Sequence, residues 1–93
     1  MSNYNLETEK WQSLSEIMGE DYDDKKQYRI HNNVELPAKL ALTEDEEPTD
    51  DTIGSLYPQY CDIYTEAGND VKLRVTAALG VQYGYNIDIT EVE

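Results

Sequence analysis

Two runs of carboxylates are the residues of this chain whose type and spacing could do chemistry. Glu20, Asp21, Asp23 and Asp24 surround Tyr22, and Glu44, Asp45, Glu46, Glu47, Asp50 and Asp51 fill the stretch Thr43–Asp51, six acids in nine residues with no base among them. Oxygen donors at this density could hold a hard cation, work as an acid/base pair, or form a surface read by something basic. A calcium loop needs oxygen ligands at positions 1, 3 and 5, a glycine at 6 and a glutamate at 12. Counted from Asp21, Lys25 and Lys26 fall at the third ligand and the glycine, and Asn32 falls at the end. Counted from Asp45, the same places hold Thr49, Asp50 and Leu56. Neither run has ligand spacing, so no dedicated metal is expected.

Nucleophilic chemistry fares no better. It needs a Ser or Cys beside a base, and nothing in the sequence ties Cys61 to His31, the only histidine. Cys61 lies in an apolar-aromatic run that favours burial as a small hydrophobe. His31 stands beside two asparagines in a turn-like context that favours solvent. Glycine-rich phosphate loops, nucleophile elbows and paired zinc histidines are missing from the sequence. We expect no enzyme and no cofactor.

Charge is the dominant property: 20 acidic against 7 basic residues, for a net charge of -13 over 93 residues. A chain of this length should form a single domain, 1–93, with a radius of gyration of about 12 Å and a diameter of roughly 30 Å. Duplex DNA carries about 18 phosphates over that distance. The protein approaches that linear charge density, so direct contact with nucleic acid or an anionic membrane is disfavoured and a basic protein surface is the expected partner. Five Lys against two Arg, with six Ile and six Asn, argue against halophilic acidity. One cysteine excludes an internal disulfide, and the start MSNYNLETEKW has no signal-peptide character, so a cytoplasmic setting is expected.

The elements that must position these acids are legible in part. Leu6, Lys10, Trp11, Leu14, Ile17 and Met18 follow a helical stripe, with Asn5 as N-cap and Gly19 as stop. Gln27–Asn33 alternates with Tyr28 and Ile30 on one face, and Asn32-Asn33 predicts a tight turn into Val34–Leu36 before Pro37. Residues 43–52 read as an acidic loop. Tyr60–Thr65, the turn 66–70 and Val71–Ala77 predict a hairpin with Val71, Leu73 and Val75 inward and Lys72, Arg74 and Thr76 outward. The run Asp70–Leu79 also fits a helix stopped by Gly80, ranked second. Val81, Tyr83, Tyr85, Ile87 and Ile89 alternate as a half-buried strand. The expected fold is α+β, an N-terminal helix packed on a small antiparallel sheet of three to five strands.

Eight Tyr, one Trp and no Phe give apolar area with polar tips, suited to a thin core and to contact surfaces. Trp11, Tyr83 and Tyr85 read as core, whereas Tyr57 and Tyr60, flanking Pro58, are candidates for an interface. Bases gather at Lys25, Lys26, Arg29, Lys39, Lys72 and Arg74, apart from the acidic runs, which suggests a one-signed face. Small size, strong acidity, abundant Tyr and no catalytic motif together resemble the phage and mobile-element proteins that act as DNA mimics, including anti-restriction and some anti-CRISPR proteins. The resemblance is one of composition over the whole chain. It implies an inhibitor that occupies the nucleic-acid site of a basic defence enzyme, and, as in several such proteins, a homodimer. On this reading Glu20, Asp21, Asp23, Asp24, Glu44, Asp45, Glu46, Glu47, Asp50 and Asp51 stand in for phosphates, the ordered acids at 20–24 ranking first. The alternative is an interaction module (an immunity protein, chaperone or accessory subunit) that binds through a Tyr-rich sheet face.

Overall fold

Ser2–Glu7 alternates polar and apolar residues, and in the computed structural model it is a strand, not the start of a helix. The structure describes residues 2–35, 37–43, 47, 54–77 and 84–92. Leu6 is fully buried, while Asn3, Asn5 and Glu7 are exposed. This two-residue period finds a partner some 80 positions away, and pairing along six residues outweighs the weak helical stripe. The order along the chain is β1 (Ser2–Glu7), β2 (Gln12–Ser13), α1 (Leu14–Met18), a 3-10 turn (Gly19–Asp21), β3 (Gln27–His31), β4 (Ala38–Thr43), β5 (Ser55–Tyr57), β6 (Asp62–Tyr64), β7 (Lys72–Ala77) and β8 (Gly84–Val92).

The strands form two antiparallel sheets of four, ordered β1-β8-β3-β6 and β2-β7-β4-β5. Antiparallel sheet was expected; a second sheet was not. The helix is five residues long and lies between β2 and the acidic turn, so the expected long N-terminal helix is corrected to its last part. Ser13 caps it, its Oγ accepting from the Glu16 N–H, and Gly19 ends it at φ 58°. Leu14 and Met18, four apart, face inward.

The core is one cluster drawn from both sheets and α1. Leu6, Tyr28, Ile30, Ile63, Ile87 and Ile89 come from the first sheet, and Ala38, Leu40, Leu42, Leu73, Val75 and Ala77 from the second. β3 and β8 therefore keep the faces their alternation dictates, and Tyr85 packs against the cluster; Tyr83 lies outside the described residues. β7 is a strand from Lys72 to Ala77, which settles that stretch against the helical alternative.

Two expected hairpins do not form. β6 pairs with β3 and β7 with β4, so the turn at 66–70 carries the chain from one sheet to the other. Likewise β3 is followed by β4 in the opposite sheet, with no return strand beside it. Alternation specifies which face of a strand is buried but leaves its neighbour open, and five residues suffice to cross the roughly 10 Å between packed sheets. Arg74, expected outside, is 9% exposed, because Glu9 and Trp11 cover it. Trp11 is accordingly half-buried over this guanidinium, its ring centroid 6.0 Å from the Arg74 carbon.

Candidate functional site

The acidic turn is held by tyrosines. The Tyr4 hydroxyl on β1 donates to Asp21 Oδ2 at 2.7 Å, and the Tyr28 hydroxyl accepts from the Asp23 N–H at 2.9 Å while donating to the Asp21 carbonyl at 3.3 Å. Asp23 Oδ1 takes the Lys25 N–H at 2.9 Å, closing the turn on itself. Tyr22 stacks on Tyr28 with centroids 5.9 Å apart. Burial pushes the Tyr22 phenol above its ordinary value, and the charges of Asp70, Asp24 and Asp23 add to the shift. Glu20, Asp21 and Asp24 are exposed and Asp23 half-exposed around a shallow dish that Lys26 also borders.

Three cations pair with carboxylates outside the turn. Lys10 pairs with Glu7 at 3.4 Å, Lys26 with Glu91 at 3.1 Å and Arg74 with Glu9 at 2.8 Å. Among the described residues the four carboxylates of the turn have no ion-pair partner within 4 Å. They are anions fixed in place by neutral donors or left open to solvent.

The second expected patch is described only at Glu47, which is exposed; Glu44, Asp45, Glu46, Asp50 and Asp51 lie outside the described residues. The two candidate tyrosines separate. Tyr57 packs partly against the core, whereas Tyr60 is 63% exposed. Leu56 and Tyr64, which the sequence did not single out, are also exposed, so the segment 55–64 presents apolar groups along one edge of each sheet.

Asn32 sets the course of that segment. It is 1% exposed; its Nδ2 donates to the Tyr57 and Pro58 carbonyls, and its Oδ1 accepts from the Val34 N–H. Its backbone carbonyl accepts from Tyr60 and its N–H donates to Cys61. An asparagine supplies both donor and acceptor where a turn must be pinned from inside. The result places Tyr60 at φ 67°, unusual for a bulky residue, with its ring stacked 6.3 Å from the His31 ring.

His31 is half-buried on β3, not loose in a turn. It faces away from the core, as do Asn3, Asp88 and Asp62, its row neighbours across β1, β8 and β6. Its Nδ1 lies 2.7 Å from Asp62 Oδ1, and Asp88 is held by Asn3 Nδ2 at 2.9 Å and Asn33 Nδ2 at 3.4 Å. Arg29, His31, Asp62, Asp88 and Thr90 line a cavity of about 250 Å³. These residues come from sites up to 61 positions apart, and only their polar places in alternating strands hinted at a shared face. Cys61, just before β6, is partly buried and packs against the core.

Among the described residues no group of three or more His, Cys, Asp or Glu is placed to hold a metal ion, and no helix is long and apolar enough to cross a membrane. Comparison with protein-family models, curated proteins and solved structures finds no match to this chain.

Proposed function

We propose that this protein is an acidic inhibitor or regulator that binds a basic, nucleic-acid-binding protein and blocks its nucleic-acid site, as a DNA mimic of the anti-restriction or anti-CRISPR type would. The observation that carries this reading is the Tyr-braced turn at 20–24, where Asp21 and Asp23 are held by neutral donors and, among the described residues, no carboxylate has an ion-pair partner within 4 Å. Anions ordered before binding lose less conformational freedom when they meet Arg or Lys. The long axis of 38 Å matches duplex carrying about 22 phosphates, against a net charge of -13. Such a protein acts by binding alone, without catalysis, works in the cytoplasm, and reaches duplex length more fully as a homodimer.

The test is displacement of duplex DNA from a panel of purified basic DNA-binding proteins, repeated across salt concentrations. A displaced target whose affinity for this protein falls with a slope of about three or more on a log–log salt plot supports the reading. The quadruple variant Glu20→Gln, Asp21→Asn, Asp23→Asn, Asp24→Asn should bind such a target at least tenfold more weakly. Displacement of no target at low salt, or undiminished displacement by that variant, overturns it.

A second reading rests on Leu56, Tyr60 and Tyr64, which are 51%, 63% and 58% exposed. Here the acids only solubilise, and an immunity protein, chaperone or accessory subunit binds through this apolar edge. Salt-insensitive binding lost in Tyr60→Ala and Tyr64→Ala selects it over the first.

A further inference from the structure

We infer that the outer face of the first sheet holds a pocket for one arginine side chain of the basic partner, formed by Asp62, Asp88 and His31 beside the Tyr60 ring. The inference rests on the reading of the protein as a binder of basic proteins, and it adds a specific anchor to a diffuse charge. Asp88, His31 and Asp62 are direct neighbours on three adjacent strands, all on the face opposite the core. Strand spacing sets the two carboxylate-bearing residues about 10 Å apart with the imidazole between them.

Both carboxylates are oriented before any ligand arrives. Two asparagine amides, from Asn3 and Asn33, hold Asp88, and His31 Nδ1 holds Asp62. Amides fix a carboxylate without cancelling its charge. Arg29 also lines the cavity and offsets one of the two aspartate charges, leaving the other. A single guanidinium neutralises that remainder. An anionic ligand would meet Arg29 only after approaching a protein of net charge -13, so a cation is the favoured occupant.

Shape selects arginine among cations. The guanidinium is planar, forks its N–H groups toward carboxylates on either side and stacks on aromatic faces. Here the His31 ring lines the cavity, and the exposed Tyr60 ring stacks with it. Tyr60 is kept there in a left-handed backbone conformation by the turn that Asn32 pins. An ammonium would gain the charge contact but neither the fork nor the stacking.

The probe is N-acetyl-arginine amide, titrated into the whole protein and followed by backbone amide NMR shifts. Saturable shifts confined to residues 29–31, 60–64 and 86–90 are expected, with N-acetyl-lysine amide weaker and N-acetyl-citrulline amide without effect. Asp62→Asn and Asp88→Asn should each weaken the arginine probe at least fivefold, and Tyr60→Ala should remove its preference over lysine. Absence of saturable shifts, equal response to citrulline, or unchanged binding in a folded Asp62→Asn protein would overturn the pocket. A poly-L-lysine arm separates this from the broader reading: its binding should fall in the quadruple variant at 20–24 and survive Asp62→Asn. Loss of the first behaviour with a working arginine pocket counts against the broader reading alone, and the converse result counts against the pocket alone.

Discussion

Arg74 Nη2 lies 2.8 Å from Glu9 Oε2, across the seam where the chain leaves the first sheet and enters the second. The other Glu9 oxygen accepts the Ala77 N–H at 2.8 Å, and the Glu9 N–H donates to the Val75 carbonyl at 2.8 Å. One residue at φ 60° thus covers a buried guanidinium and stitches β7 to the crossing segment.

Glu9→Ala should destabilise the protein by about 2–4 kcal/mol, because it removes the carboxylate that accepts from the buried Arg74 guanidinium and from the Ala77 N–H together. Urea unfolding measures this. Glu9→Gln should cost less, since it keeps an acceptor for Ala77.

Acid should act through the same residue. The Arg74 hydrogen bond, aided by the Ala77 N–H and opposed by partial burial, holds the Glu9 carboxyl below its ordinary 4.5. Because the folded value is depressed, the stability it contributes is complete above the unfolded value and is lost as pH falls through the folded one. The stability gap between the parent and Glu9→Gln should therefore be constant from pH 7 to about 5 and narrow below about 4.5. A gap that persists undiminished to pH 2 would refute the ion pair's role.

Asn32→Ala should cost about 2–4 kcal/mol, since it leaves the Tyr57 and Pro58 carbonyls and the Val34 N–H without their partner. Asn32→Asp should be worse, because it turns a lone-pair-bearing oxygen toward two carbonyls. Thermal melts of both variants check the order.

At Tyr60 the backbone and side chain can be separated. Tyr60→Gly should be more stable than Tyr60→Ala by about 1 kcal/mol, because glycine adopts φ 67° without the Cβ penalty. Equal stabilities in denaturant titrations would mean the left-handed conformation is not held.

Added salt should stabilise the free protein. At a net charge of -13, carboxylates repel one another across the surface, and raising NaCl from about 10 mM to about 500 mM shortens the screening length from roughly 30 Å to below 10 Å. A rise in Tm of about 4–8 °C, near 1 kcal/mol at this length, is expected by calorimetry. The quadruple variant at 20–24 should show a smaller rise.

What the sequence determined by itself was local. Two-residue alternation fixed β3 and β8 and their buried faces, Gly19 fixed the end of α1, and the run of acids fixed an anionic turn, because each depends only on near neighbours. Tertiary structure decided the rest. Asn5–Met18 carries apolar residues that fit a helical stripe, and only the availability of β8 turned its first part into a strand. The turn at 66–70 could have closed a hairpin; it joins two sheets because β6 pairs with β3 and β7 with β4. The row Asn3, Asp88, His31, Asp62 and the Glu9–Arg74 pair were invisible for the same reason. Their members are brought together by register between strands distant in the chain, and register is set by the packing of the whole core, not by any stretch of sequence.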